Sequence, residues 1–287
     1  QTDLVALYTT QYRPNRFKTL DFSLNNTVTF VKYWTNGLYA AIQPMGYNDY
    51  YEPRMPGWVY KMPLNYSGEW QFASDARKPF RYYHTFGFLN SPDNHHARYY
   101  LGLMPRIRFS DRFSVSLTML YEKDLNNYGW VATSYDAEMT PYIYFGRRDI
   151  TTISNVINAR YIFSTKTSVT LRARHYWSQA DYLSFYTLNF EGTLSGCDFI
   201  PGQDINFNAF TVDLQFVWYF APGSEMSVVW KNVINTMGDE LEQSYISDLG
   251  NTLRAPQTNS FSIKVLYYLD YLNIKKALSK KKKRQGE

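Results

Sequence analysis

Apolar and polar side chains alternate with a period of two in segments of about 9 to 13 residues along the whole chain, and no long stretch carries a 3.6-residue period. Alternation of this kind yields strands with one apolar and one polar face, because successive side chains point to opposite sides of an extended backbone. The clearest segment sets Phe210, Val212, Leu214, Phe216, Trp218 and Phe220 against Thr211, Asp213, Gln215 and Tyr219. Near the C-terminus, Phe261, Ile263, Val265, Tyr267, Leu269 and Tyr271 oppose Ser260, Ser262, Lys264 and Asp270 in the same way. Twelve strands are predicted, over 2–9, 18–34, 38–46, 64–73, 79–89, 98–109, 113–122, 149–163, 168–178, 210–220, 225–235 and 260–271.

Strand length and connection length then narrow the fold. Segments of 11 to 13 residues exceed the usual globular strand of about 5 or 6 and suit a tilted bilayer crossing. Short turns are predicted at Thr35-Asn36-Gly37, Ser74 to Lys78, Ser110-Asp111, Ser164 to Thr167 and Pro222-Gly223-Ser224. Between them fall long loops near 46–63, 90–97, 124–148, 179–208 and 236–258. One trimmed rim and one elaborated rim, with an even strand count, define an antiparallel up-and-down transmembrane β-barrel. The predicted fold class is therefore all-β, with about 12 strands forming either a whole barrel or the C-terminal part of a larger one. A soluble β-sandwich binding module is the alternative, since its strands also alternate.

Composition supports the barrel over the sandwich. The 287 residues include 27 Tyr, 19 Phe and 7 Trp, more large rings than one core needs. Many sit near predicted strand ends, among them Tyr33, Trp34, Tyr82, Tyr83, Tyr99, Tyr100, Tyr121, Trp130, Tyr161, Tyr176, Trp177 and Trp230, as in interfacial aromatic girdles. A mean hydropathy of -0.43, with no run of about 18 uncharged apolar residues, excludes a transmembrane helix and leaves strands as the spanning element. The single Cys197 excludes an internal disulfide framework. The net charge of +5 comes from a tail, because Lys275, Lys276, Lys280 to Lys283 and Arg284 carry seven positive charges. No basic, aromatic-interleaved groove of the nucleic-acid-binding kind is present, and no nucleic-acid partner is expected.

The polar faces define the first set of candidate residues. Asp21, Glu69, Arg98, Arg106, Arg108, Glu122, Arg160, Arg172, Arg174, Asp213, Lys231, Lys264 and Asp270 are expected to line the lumen, either as a polar pore or as a network of pairs filling a closed one. The loop containing Asp49, Tyr51, Glu52, Arg54 and Trp58 mixes rings with charges, as sugar-binding and peptide-binding surfaces do. Catalytic motifs are absent. His175, with Ser168 and Ser178 on the same predicted strand, is the weak candidate for a barrel-embedded hydrolase acting on lipid or glycan. His95-His96 with Asp93 could at most bind a metal weakly, and no metal site or cofactor is expected.

Several longer motifs carry a family resemblance: Phe145-Gly146-Arg147-Arg148-Asp149, Arg172-Ala173-Arg174-His175-Tyr176-Trp177-Ser178, Phe220-Ala221-Pro222-Gly223-Ser224, Val229-Trp230-Lys231-Asn232 and the run from Asn259 to Tyr271. With Glu52-Pro53-Arg54 and Ser74-Asp75-Ala76-Arg77-Lys78, they resemble an uncharacterised Bacteroidota family of outer-membrane barrels preceded by a carbohydrate-binding module similar to family 9. The resemblance implies that this chain corresponds to the barrel part, with Gln1 internal to a longer protein. Residues 1–274 are then expected to form the barrel and 275–287 a basic, disordered periplasmic tail. It implies a location in the cell outer membrane, with lipid, other outer-membrane proteins and glycan as partners. The expected role is that of an anchor, pore or complex subunit in the uptake or handling of extracellular glycans.

Overall fold

The computed structural model describes residues 1–198, 204–241, 244–269, 271 and 275. The chain runs through β1 (Thr2–Gln11), β2 (Arg16–Thr29), β3 (Thr35–Gln43), β4 (Tyr47–Asp49), β5 (Tyr60–Met62), β6 (Asn65–Ala73), β7 (Phe80–Arg81), β8 (Tyr83–Ser91) and β9 (His96–Leu103). It continues through β10 (Arg106–Arg108), β11 (Phe113–Tyr135), β12 (Pro141–Ser164), β13 (Thr167–Leu188), β14 (Leu194–Cys197), β15 (Ile205–Ala221), β16 (Ser224–Gly238), α1 (Tyr245–Arg254) and β17 (Thr258–Leu266). The 17 strands among the described residues all belong to one sheet, which removes the two-sheet sandwich.

Twelve strands form the wall, each antiparallel to its neighbour, in the order β1-β2-β3-β6-β8-β9-β11-β12-β13-β15-β16-β17. They correspond one to one with the twelve predicted strands. This is the wall of an up-and-down transmembrane β-barrel. Among the described residues β1 pairs with β2 and β17 with β16 but not with each other, so the sheet is open. Among the described residues no helix is long and apolar enough to cross a membrane.

Two predicted loops turn out to be mostly strand. β11, β12 and β13 run for 23, 24 and 22 residues, so 124–148 narrows to a turn over 136–140 and much of 179–208 is extended. The periodicity fails there because bulges interrupt the pairing at Asp124/Asn127, Trp130/Ala132 and Arg147/Arg148. Each inserts a residue and exchanges the two faces, which erases the alternation in the sequence while the strand continues. Asn126, at φ 53, occupies the left-handed region that the first bulge requires. The connection predicted over 90–97 is likewise a short 3-10 turn, Pro92–Asn94.

Other boundaries shift by a few residues. β2 ends at Thr29 and its turn is closed by the Phe30 N–H donating to the Trp34 carbonyl at 2.8 Å, so Thr35-Asn36-Gly37 opens β3 and does not form the turn. β17 stops at Leu266, short of Tyr271. Asp270 and the basic tail, apart from Lys275, lie outside the described residues.

In the turn after β6, the Asp75 carboxylate accepts Nε and Nη2 of Arg77 at 2.9 Å, and the guanidinium lies 3.4 Å from the centre of the Tyr33 ring. Those hydrogen bonds hold the Asp75 carboxyl at about 2. A lowered folded-state value stabilises the fold above the ordinary carboxylate range and is lost as pH falls. The Asp75→Asn variant is therefore expected to show a shallower loss of stability between about pH 5 and about pH 2, followed by its unfolding midpoint.

The apolar face is uncovered over most of its extent. Leu24, Leu38, Phe86, Leu101, Met119, Tyr121 and Ile157 are each between 39% and 55% exposed. A contiguous apolar surface of this breadth has no counterpart on a soluble monomer. Not every ring predicted for a girdle lies on it: Tyr83, Tyr100 and Tyr176 register with the polar face. Tyr100 lies across Gly87, where any Cβ would collide with its ring.

Candidate functional site

The pairing register carries Asp21, Glu69, Arg98, Arg106, Arg108, Glu122, Arg160, Arg172, Arg174, Asp213, Lys231 and Lys264 to the same face of the wall. Its carboxylates are engaged. Glu69 accepts from the Tyr100 hydroxyl and Gln71. Asp21 accepts from Thr19 at 3.1 Å and from Gln43 at 2.7 Å. Glu122 lies 3.6 Å from Arg98, and Asp213 accepts Nη2 of Arg174 at 3.0 Å. Sequence reading missed a buried pair on this face: His96 Nε2 lies 2.6 Å from Asp124, with Asn127 donating to the second carboxylate oxygen at 3.0 Å. His95 faces a different task, closing the 3-10 turn at φ 55.

The second assembly sits at the rim formed by the long strands. β4 and β5 form a hairpin that also reaches β2 through Thr19 and Tyr47. Gly46 starts it at φ 62, where a Cβ would strike the Met62 carbonyl, so only glycine fits. The hairpin packs Tyr60 against Phe145, ring centres 4.9 Å apart, in a buried cluster with Ile143 and Leu188. The Lys61 N–H donates to the Gly192 carbonyl at 2.9 Å, tying the hairpin to the turn after β13. Burial, and then the Asp49 carboxylate, push the Tyr47 phenol up to about 12, and burial pushes Tyr60 up as well. Both phenols stay neutral at physiological pH.

The five loop candidates divide between framework and surface. Asp49 accepts the N–H groups of Tyr51 and Glu52 at 2.8 and 2.9 Å, folding its own turn. Glu52 reaches across to accept the Trp130 N–H at 2.8 Å. Arg54 stacks its guanidinium 4.0 Å from the centre of the Trp130 ring. Tyr51 is 80% exposed, and Trp58 meets Phe190 edge to face at 5.4 Å. The exposed part of the assembly is thus aromatic and cationic.

His175 lies on the apolar face beneath α1. Its Nδ1 is 2.9 Å from the Tyr245 hydroxyl, to which Asn155 Nδ2 also donates at 2.9 Å. Beside it, Trp177 Nε1 and Asn208 Nδ2 donate to Asp248 at 2.7 and 3.1 Å. Ser168 and Ser178 project from the opposite face of β13, and the Ser178 hydroxyl pairs with Thr152. The strand does not bring a serine to His175. The sequence carried a signal for α1 after all: Asn155, His175 and Asn208 are polar residues on an otherwise apolar face, and the helix docks on them with its own polar side. Ile246 and Leu253 remain on its outer side, 70% and 48% exposed. Asp248→Ala would strand the Trp177 and Asn208 donors and is expected to cost about 1–3 kcal/mol, seen as faster amide exchange in α1 before global unfolding.

A continuous antiparallel wall with an exposed apolar face and a charged opposite face defines a protein of the transmembrane β-barrel class. The chain belongs to the family described as Domain of unknown function (DUF5916), which it matches over residues 1–278. Among solved structures it is similar to the copper transporter OprC, at 12% identity and a TM-score of 0.51, covering 94% of this chain and 43% of that one. The chain therefore spans less than half the length of that protein. It also aligns with the NanC porin, at 10% identity and a TM-score of 0.25, over 93% of this chain and 99% of that one. At these identities the likeness to OprC is one of fold. No curated protein matches the chain.

Proposed function

We propose that this chain forms wall of a barrel in the cell outer membrane, with the apolar face against lipid, the charged face toward a water-filled lumen and the long-strand rim outward to meet extracellular glycans. One observation carries the reading: the register that gathers twelve charged residues on one face leaves the opposite face apolar and uncovered across the wall strands. Water would not tolerate that face, whereas a bilayer would cover it. The fold shared with a transporter barrel supports the location. The exposed Tyr51 and Phe190 rings, with the half-buried Trp58 against Phe190 and Arg54 in the same loop, support the ligand class, since sugar rings stack on aromatic faces and their hydroxyls take hydrogen bonds from guanidinium. The link to Bacteroidota and to a preceding carbohydrate-binding module belongs to this proposal. The open edges of β1 and β17 must also be paired in the bilayer, because an unpaired backbone edge is not stable in hydrocarbon.

The test is to fractionate cells producing the whole protein, then purify it into planar bilayers. Recovery in the outer-membrane fraction, with a conductance that soluble oligosaccharides reduce, is the expected result. Recovery as a soluble protein would end the membrane reading, and an insulating membrane protein would leave the location standing while removing the passage.

A further inference from the structure

We propose that the polar face holds an oxyanion site of the phosphate class at its short-turn end, where β7 pairs with β10. The pairing sets Arg106 directly opposite Arg81. Like charges on facing residues of a sheet destabilise it unless something intervenes. Here two more cations crowd the same place. Lys78, Arg81, Arg106 and Arg108 line a recess of about 60 Å³ together with Ala76 and Pro79, room for one compact polyatomic anion.

Lys78 feels the Asp75 carboxylate only at a distance, and no carboxylate among the described residues is bound to any of the four. Among the described residues none of the four cations makes an ion pair, and Asp75 in the adjoining turn is already taken by Arg77. The recess is also held in shape by the backbone, since the Arg108 N–H donates to the Pro79 carbonyl at 2.8 Å.

The register continues the same sign across the wall. Arg108 faces Ser114, which faces Arg160 on the next strand, and Arg106 faces Ser116, then Asn158, then Arg172. The acids of this face, by contrast, are paired with Arg98, Tyr100, Gln71, Gln43 and Arg174. The short-turn end is therefore a field of positive charge with one built recess in it. Guanidinium groups meet tetrahedral oxyanions through paired N–H donors, which makes phosphate the fitting class. Phe80 and Ile107, on the same two short strands, lie on the apolar face, so the cations are not simply reaching for lipid from that side. The site depends on the pairing of β7 with β10 and stands whether or not the lumen conducts.

The experiment uses the full chain folded in a neutral detergent at low ionic strength. Inorganic phosphate is titrated while 31P line width and the apparent unfolding temperature are followed. Saturable binding is expected, with a rise in unfolding temperature as phosphate increases, because a ligand that binds the folded state stabilises it. The variant R81Q/R106Q is expected to bind at least about tenfold more weakly and to lose the phosphate-dependent rise, while being no less stable in phosphate-free buffer because the facing charges are gone. R108Q, which leaves that pair intact, is expected to weaken binding by a smaller factor. K61Q, an equal charge change at the opposite rim, should leave binding unaltered. Phosphatidylglycerol in mixed micelles separates the sources: competition with phosphate assigns the site to a lipid headgroup, and no competition assigns it to free phosphate or a soluble phosphate ester. The proposal is overturned if the wild type shows no saturable binding of either, if R81Q/R106Q binds as tightly, or if K61Q loses as much.

Discussion

Replacing Leu214 or Phe216 by arginine is expected to lower stability in a bilayer by about 2–4 kcal/mol, whereas Gln215→Arg should cost much less. The three residues are consecutive on β15 and share one backbone environment, but successive side chains leave the sheet on opposite faces. Leu214 lies across from Leu171 and Trp230, and Phe216 from Val169 and Val228, all on the apolar side. Gln215 faces Thr170 and Val229 on the side that also carries Asp213 and Lys231. An arginine on the apolar side must carry its charge into hydrocarbon, while one at 215 enters a face already built from charges. Urea-driven unfolding from liposomes reads the difference. Equal losses at 214, 215 and 216 would refute the assignment of faces and, with it, the lumen.

Truncating Phe145 is the second large effect: Phe145→Ala is expected to cost about 3–5 kcal/mol, as for other fully buried rings. Phe145 has no exposed surface and packs with Tyr60, Ile143 and Leu188, so deletion of its ring leaves a cavity that the flanking strands cannot close. The damage should be local first. The β4/β5 hairpin would detach from β12 and expose the Lys61 amide that now donates to Gly192, so hydrogen exchange there should accelerate before the wall loosens. Tyr51→Ala, at an 80% exposed position in the same loop, should stay within about 0.5 kcal/mol of the parent protein. If glycan binds at this rim, that second variant would lose affinity without losing stability, which separates a binding ring from a packing one.

How far the sequence could be read depended on whether alternation survived in it. The wall strands were legible because a face that meets one medium needs one kind of residue at every second position, and β15 and β16 keep that pattern almost unbroken. The extension of β11 was not legible, since the bulges at Asp124/Asn127 and Trp130/Ala132 reverse its faces while the pairing goes on. The rim residues show a related limit. Asp49, Tyr51, Glu52, Arg54 and Trp58 stood out by type, but nothing in their spacing could say that Asp49 and Glu52 are spent on backbone N–H groups while the Tyr51 ring stays exposed. His175 is similar. Its polar neighbours Tyr245, Asn155 and Asp248 come from a helix and a neighbouring strand that no local pattern connects.

By itself, then, the sequence determined the class of fold, the number of wall strands and the face shared by twelve of the thirteen charged residues it singled out, because all three follow from a period of two repeated along the chain. Only the tertiary structure decided which charges meet. The cross-strand register sets Arg81 against Arg106 and Arg174 beside Asp213, the bulges lift β11 to β13 into a rim that the β4/β5 hairpin can pack on, and α1 folds back over the few polar residues of the apolar face. Register and docking are fixed by contacts between residues far apart in the chain, and a short-range pattern holds no information about them.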